Sequence, residues 1–132
     1  MAYIMTTEAE IKQKSGANVN ATFDTTMMTA ANIRAESTCN VIARYNFSDT
    51  YATLNADVKG LLSDICSSLV AIEAISYDMS GYTSRTEAED MINILRDGIT
   101  RIKHIKRQKS TNFHNRSIKT RCLTTIIRII QS

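Results

Sequence analysis

Residues 54–105 read LNADVKGLLSDICSSLVAIEAISYDMSGYTSRTEAEDMINILRDGITRIKHI, and their pattern decides the fold class. On the first arm Leu54, Val58, Leu61, Leu62, Ile65, Leu69, Ile72 and Ile75 recur at steps of three and four. That spacing places them on one face of a helix. On the second arm Ala88, Met91, Ile92, Leu95, Ile99, Ile102 and Ile105 repeat the pattern. Between the arms lies Tyr77-Asp78-Met79-Ser80-Gly81-Tyr82-Thr83-Ser84-Arg85, in which Gly81 permits a sharp reversal. Ser84-Arg85-Thr86-Glu87 is a capping box: Ser84 accepts from the Glu87 amide, and the Glu87 carboxylate reaches back to the Ser84 amide. Glu87, Glu89 and Asp90 occupy the first turn, where the helix dipole favours negative charge. The expectation is an antiparallel helical hairpin within an all-α bundle.

Working outward to the N-terminus, Thr7-Glu8-Ala9-Glu10 forms another capping box, for a short helix over residues 6–15, which Gly16 ends. A polar connector from Ala17 to Asp24 comes next. Asp24 or Thr25 caps the following helix, expected to reach about Tyr45 and to bury Met27, Met28, Ala31, Ala35, Thr38, Val41, Ile42 and Tyr45. The small residues on that face let a neighbouring helix approach closely, in this subunit or another. Asn46-Phe47-Ser48-Asp49 is a break, with Ser48 or Asp49 as the next cap. A short helix to Leu54 either stands alone, with Asn55 as a fresh cap, or continues into the first arm. Gly60 costs that arm about 1 kcal/mol relative to Ala, so a close contact or small kink is expected there.

At 132 residues the chain is one domain with a modest core. It contains no proline, which suits helices and argues against a turn-rich sandwich or barrel. Charge is distributed unevenly. Residues 1–97 carry 7 Lys and Arg against 13 Asp and Glu, net −6, whereas residues 98–132 carry 9 Lys and Arg and no acid, net +9. The N-terminal stretch Met1-Ala2-Tyr3-Ile4-Met5 is too short and uncharged for a signal peptide, and no run reaches membrane-spanning length. Synthesis in a cytoplasm is the expectation, with the sequons at Asn20, Asn46 and Asn115 unused.

The motifs of catalysis are missing from the pattern: no Gly-rich phosphate loop, GxSxG, HExxH or Cys/His pairing. Cys39, Cys66 and Cys122 stand far apart without metal-ligand spacing, and Cys39 and Cys66 read as small apolar residues within helices. His104 and His114 fall among basic residues as solvated surface. The acids at the start of the second arm are explained by helix capping. Neither an enzyme, a metal site nor a cofactor is indicated.

Beyond about residue 109 the character changes. Residues 1–109 read as a helical body and residues 110–132 as an arm, first basic and polar, then apolar and β-branched. Such a composition favours an extended segment that adds to a partner's sheet edge or lies in a partner's groove. The bland alternative is a tail without a structure of its own. Arg116, Lys119, Arg121, Leu123, Ile126, Ile127, Ile129 and Ile130 are the candidate partner-binding residues. Arg101, Lys103, Lys106, Arg107, Lys109, Arg116, Lys119 and Arg121 could instead neutralise phosphates, making a nucleic-acid-binding module the second reading. Only Phe113 accompanies them, so base stacking is not indicated. A membrane-surface anchor fits less well, because apolar and basic residues separate along the chain and not around a helix.

The run from Ala71 to Leu95, AIEAISYDMSGYTSRTEAEDMINIL, resembles the central hairpin of head–tail connector proteins of tailed bacteriophages. Thr7-Glu8-Ala9-Glu10-Ile11-Lys12 followed by Gly16 is similar to their opening helix. The likeness covers roughly residues 6–107 and rests on pattern and order. It implies a structural virion protein at the head–tail interface: a helical adaptor forming a homo-oligomeric, dodecameric ring below the portal. Portal protein and tail or neck proteins would be its partners, and DNA would pass through the channel without sequence-specific contact. Membrane is not among the implied partners. The family's C-terminal arm grips the portal; residues from about Ser110 take that role by position and composition, without residue correspondence.

Overall fold

The computed structural model describes residues 3–100. These are helical, with no strand among them. Helix α1 is Glu8–Ser15, α2 is Thr25–Ala43, α3 is Phe47–Thr50 with a 3₁₀ turn at Tyr51–Thr53, and α4 is Ala56–Tyr77. A second 3₁₀ turn, Met79–Gly81, leads to α5, which spans 85–100. None of these helices is long and apolar enough to cross a membrane. The chain divides into two compact units, Met1–Asp97 and Gly98–Ser132, and the first holds α1 to α4 with most of α5.

Local chemistry accounts for the starts and stops. Thr7 caps α1 with the full capping box: its hydroxyl accepts from the Glu10 amide, and its own amide donates to the Glu10 carboxylate at 2.8 Å. Gly16 ends α1 at a φ of 77°, open to glycine and strained for other residues. Asp24 caps α2 by accepting from the Met27 amide, and Asn55 caps α4 by accepting from the Asp57 amide. The segment before α4 is therefore a separate element.

Several expectations need correction. The α2 helix stops at Ala43, because Arg44 turns into the left-handed region (φ 54°) and the amides of Arg44 and Tyr45 reach back to the Asn40 and Val41 carbonyls. Neither Ser48 nor Asp49 caps α3; Asn46 holds that position, and its side chain donates to Asp49 at 2.6 Å. The capping box of the hairpin is shifted by one residue: Glu87 accepts from the Thr83 amide and not from Ser84, although Ser84 does accept from the Glu87 amide. Gly60 faces open space, so no close contact explains it. The second arm is described to residue 100; its expected continuation to Arg107 lies outside the described residues.

The arms do pair, but the organising element is α4, against which α1 and α2 also pack. Its buried side keeps part of the expected stripe, with Leu62 and Ile75 buried, and adds smaller residues beside it. Cys66, Val70, Ala71, Ala74 and Ile75 are sealed from solvent, whereas Val58, Ile65, Leu69 and Ile72 are half-buried and Leu61 is exposed. Small residues occupy the centre because a helix with neighbours on more than one side needs close approach there. Ser67 and Ser68 are tolerated because their hydroxyls donate to the Ser63 and Asp64 carbonyls one turn back. The expected α2 face is buried at Met28, Ala31 and Ala35 and gives way to solvent from Thr38 onward. Met28, Ala31, Ala35 and Cys39 are buried with Asn32 and Glu36, while Thr38, Val41, Ile42 and Tyr45 stand in solvent. The close neighbour allowed by Ala31 and Ala35 is α4 of the same chain.

At the far end of α4, Ile75, Tyr82, Ala88 and Ile92 form a second core cluster, flanked by Ile72, Met79, Met91 and Leu95. This closes the hairpin. The connector of residues 17–24 crosses its turn: Asn20 donates to the Asp78 carboxylate, Tyr82 donates its hydroxyl to the Ser15 carbonyl at 3.2 Å, and the Asn18 carbonyl lies against Gly81. Gly81 is needed for that approach and not for a positive φ.

Candidate functional site

Residues 101–132 lie outside the described residues, and with them the candidate arm residues Arg116, Lys119, Arg121, Leu123, Ile126, Ile127, Ile129 and Ile130, the basic run from Arg101 to Arg121, and both histidines. The candidates within the body are a buried polar clamp, an open groove and an apolar surface.

The clamp is built from α2 and the N-terminal segment. Glu36 is almost fully buried, and its Oε1 accepts from the amides of Ile4 (2.9 Å) and Met5 (3.0 Å) and from Asn32 Nδ2 (2.8 Å). A buried carboxylate demands such donors, and two of them are backbone amides that would otherwise lack partners. The clamp threads Met5 into the core, where its thioether lies 3.7 Å from Cys66 Sγ and its carbonyl accepts from the Tyr51 hydroxyl at 3.3 Å. This is a fastening for the N-terminal segment, with no room for a reacting molecule. Little in the pattern announces it, because Glu36 reads as a surface acid.

Between α1, the connector and the start of α2 lies an open groove of about 810 Å³, lined by Glu8, Lys12, Gln13, Asn20, Asp24, Phe23 and Met28 among others. Its lysine is paired: Lys12 Nζ sits 2.6 Å from Glu8, and that hydrogen bond raises the ammonium's pKa. A base or nucleophile near neutral pH is not what this arrangement provides. On the other side of α1, Lys14 Nζ donates to the Asp64 carboxylate and carbonyl and to Ser68 Oγ, all within 2.7 Å, tying α1 to α4. Glu10 is held below the usual carboxylate range. Partial burial pushes it up, but hydrogen bonds from Ser63, Thr6 and Thr7 outweigh that push.

The acids of the hairpin are structural. Glu87 caps α5, Arg85 pairs with Glu89 at 2.7 Å, and Asp78 accepts from the Ser80 amide at 2.8 Å. Arg34 on α2 pairs with Glu73 on α4. Among the described residues, no three His, Cys, Asp or Glu side chains come together as a metal site.

The apolar surface lies at the C-terminal end of α2. Val41 is 75% exposed and Ile42 53%, and Tyr45, just beyond the end of the helix, is 50% exposed. Tyr45 is steadied by Phe47, with ring centroids 4.9 Å apart. Isolated exposed apolar residues are ordinary, but several on one short stretch of chain are a feature of contact surfaces. No family model, curated protein or solved structure matches the chain.

Proposed function

We propose that the chain is a structural assembly protein of the head–tail connector class, acting without catalysis. In this reading copies of the helical body form a ring that continues a DNA channel between portal and tail in a virion, and residues 110–132 grip the portal. The observation that carries the reading is the apolar surface at the C-terminal end of α2 and just beyond it, where Val41, Ile42 and Tyr45 stay in solvent although the body has a core of its own. Burying such residues against a neighbouring copy would add about 1.5–3 kcal/mol for each large side chain fully covered. The resemblance of residues 71–95 to connector hairpins gives that surface its context, and the acid-free segment 98–132, net +9, supplies a partner-binding element of opposite charge to the body.

Deleting residues 110–132 tests the arm. The truncated chain is expected to keep its helical circular dichroism and lose capture by the portal protein of the same source; undiminished capture would remove the arm from the reading.

Nine cations without an acid in residues 98–132 favour one second reading, a non-enzymatic nucleic-acid-binding module. It predicts DNA affinity that falls steeply with salt and weakens on neutralising Lys106, Arg107 and Lys109. An absence of binding at low salt would dismiss it.

A further inference from the structure

Cys39 on α2 and Cys66 on α4 are free, and their sulfurs face each other at 3.4 Å across the helix–helix contact. We propose that these thiols are an oxidisable pair that closes to a disulfide and staples α2 to the central helix. Three observations carry this. Each sulfur is already the other's neighbour, so closure to a bond of about 2.04 Å requires a movement of about 1.4 Å, within reach of small side-chain rotations. The two residues sit on different helices and are 27 positions apart, so the link closes a sizeable loop of the unfolded chain. The pair is also asymmetric in access: Cys66 is wholly buried, whereas Cys39 keeps 7% exposure.

Access assigns the order of events. The hydrogen bond from Cys66 lowers the Cys39 thiol's pKa, against the upward push of burial and of Glu36, while the same bond and burial raise that of Cys66. Cys39, the sulfur with a path to solvent, is the one that meets the oxidant, and wholly buried Cys66 is the resolving thiol. With a peroxide as the oxidant, Cys39 sulfur takes one oxygen as the O–O bond breaks, giving a sulfenic acid and releasing the other oxygen as water. Cys66 sulfur then attacks Cys39 sulfur; the S–S bond forms, the S–O bond breaks, and the hydroxyl leaves as water with the Cys66 proton. The two thiols lose two electrons and two protons, and one hydrogen peroxide becomes two waters. The thioether of Met5, 3.7 Å from Cys66, packs against the closed pair.

The test uses the full chain and a Cys122→Ser variant, which removes the third thiol. Native protein is treated with hydrogen peroxide at low excess, quenched with an alkylating agent, unfolded, alkylated again with a second agent and mapped by peptide mass. The expected product is a Cys39–Cys66 cross-linked peptide lighter by two hydrogen masses, formed in both proteins and reversed by dithiothreitol. The linked form is expected to unfold at higher urea than its reduced counterpart, with the folding equilibrium constant raised about 10²–10³-fold. Recovery of both residues as alkylated thiols, or Cys39 carried to sulfinic acid without a link, would overturn the proposal. So would a cross-linked protein whose urea midpoint is no higher than that of the reduced form.

Discussion

Gly81 and Gly60 should respond to the same substitution with opposite sign. At Gly81 a Cβ would fall less than 3.0 Å from the Asn18 carbonyl oxygen and 3.4 Å from its carbon. The obstacle is backbone, so it cannot rotate away as a side-chain tip would. Gly81→Ala must push the connector off the hairpin turn, loosening the Asn20–Asp78 and Tyr82–Ser15 hydrogen bonds that hold it there. Overpacking of this kind costs about 1–3 kcal/mol. At Gly60, inside α4, nothing lies within 4 Å of the added methyl. Gly60→Ala therefore gains helix propensity and loses unfolded-state freedom, for about 0.5–1 kcal/mol of added stability. Urea denaturation followed by circular dichroism reads both variants against the parent chain. The difference between them should be about 1.5–4 kcal/mol, with Gly81→Ala the less stable. A Gly81→Ala protein as stable as the parent would refute the connector's close crossing over the turn.

Three further outcomes rest on the body's chemistry. Glu36→Ala should cost about 3 kcal/mol, because it strands the Ile4 and Met5 amides and the Asn32 amide group, while Glu36→Gln, which keeps an oxygen for the same donors, should cost about 1 kcal/mol; both are read by urea midpoint. Arg44→Gly should raise stability by up to about 1 kcal/mol in thermal unfolding, because Arg44 holds a left-handed conformation that glycine adopts without cost. The folded-state pKa values of Glu10 and Asp78 lie below their ordinary values of 4.5 and 3.8, so their stabilisation is complete above those values and is lost as pH falls through the depressed ones. Carboxyl chemical shifts followed by NMR should place both titrations below the ordinary values, and unfolding midpoints should fall as pH drops below about 4.5.

The helical class and most helix starts are legible in the sequence because capping is local: Thr7, Asp24, Asn55 and Ser84 act on amides two or three residues away. Which side of each helix is buried is less legible. Periodicity favours the large residues Leu61, Ile65 and Leu69 on α4 and Val41 and Ile42 on α2, but a central helix is packed most closely where its residues are smallest. Cys66, Ala71 and Ala74 therefore join Leu62 and Ile75 in the core, while Leu61 is left in solvent. The Glu36 clamp is hidden from the pattern because its donors, the Ile4 and Met5 amides, are about thirty positions away and backbone groups carry no sequence signature. Gly81 marks the turn correctly in position but for a different reason, since its value lies in the approach of Asn18 and not in its own dihedral angles. The apolar surface of α2 is visible in composition, yet its helical spacing points to the interior.

The proposed connector function is tested most directly by native mass measurement of the purified full chain, alone and mixed with a portal ring from the same source. Stoichiometric capture by the portal, with ring-sized assemblies appearing in the mixture and lost when Val41, Ile42 and Tyr45 are replaced by serine, is the predicted result. A monomer in both samples, with no capture at any ratio, would contradict it and leave DNA binding by residues 98–132 as the function to pursue.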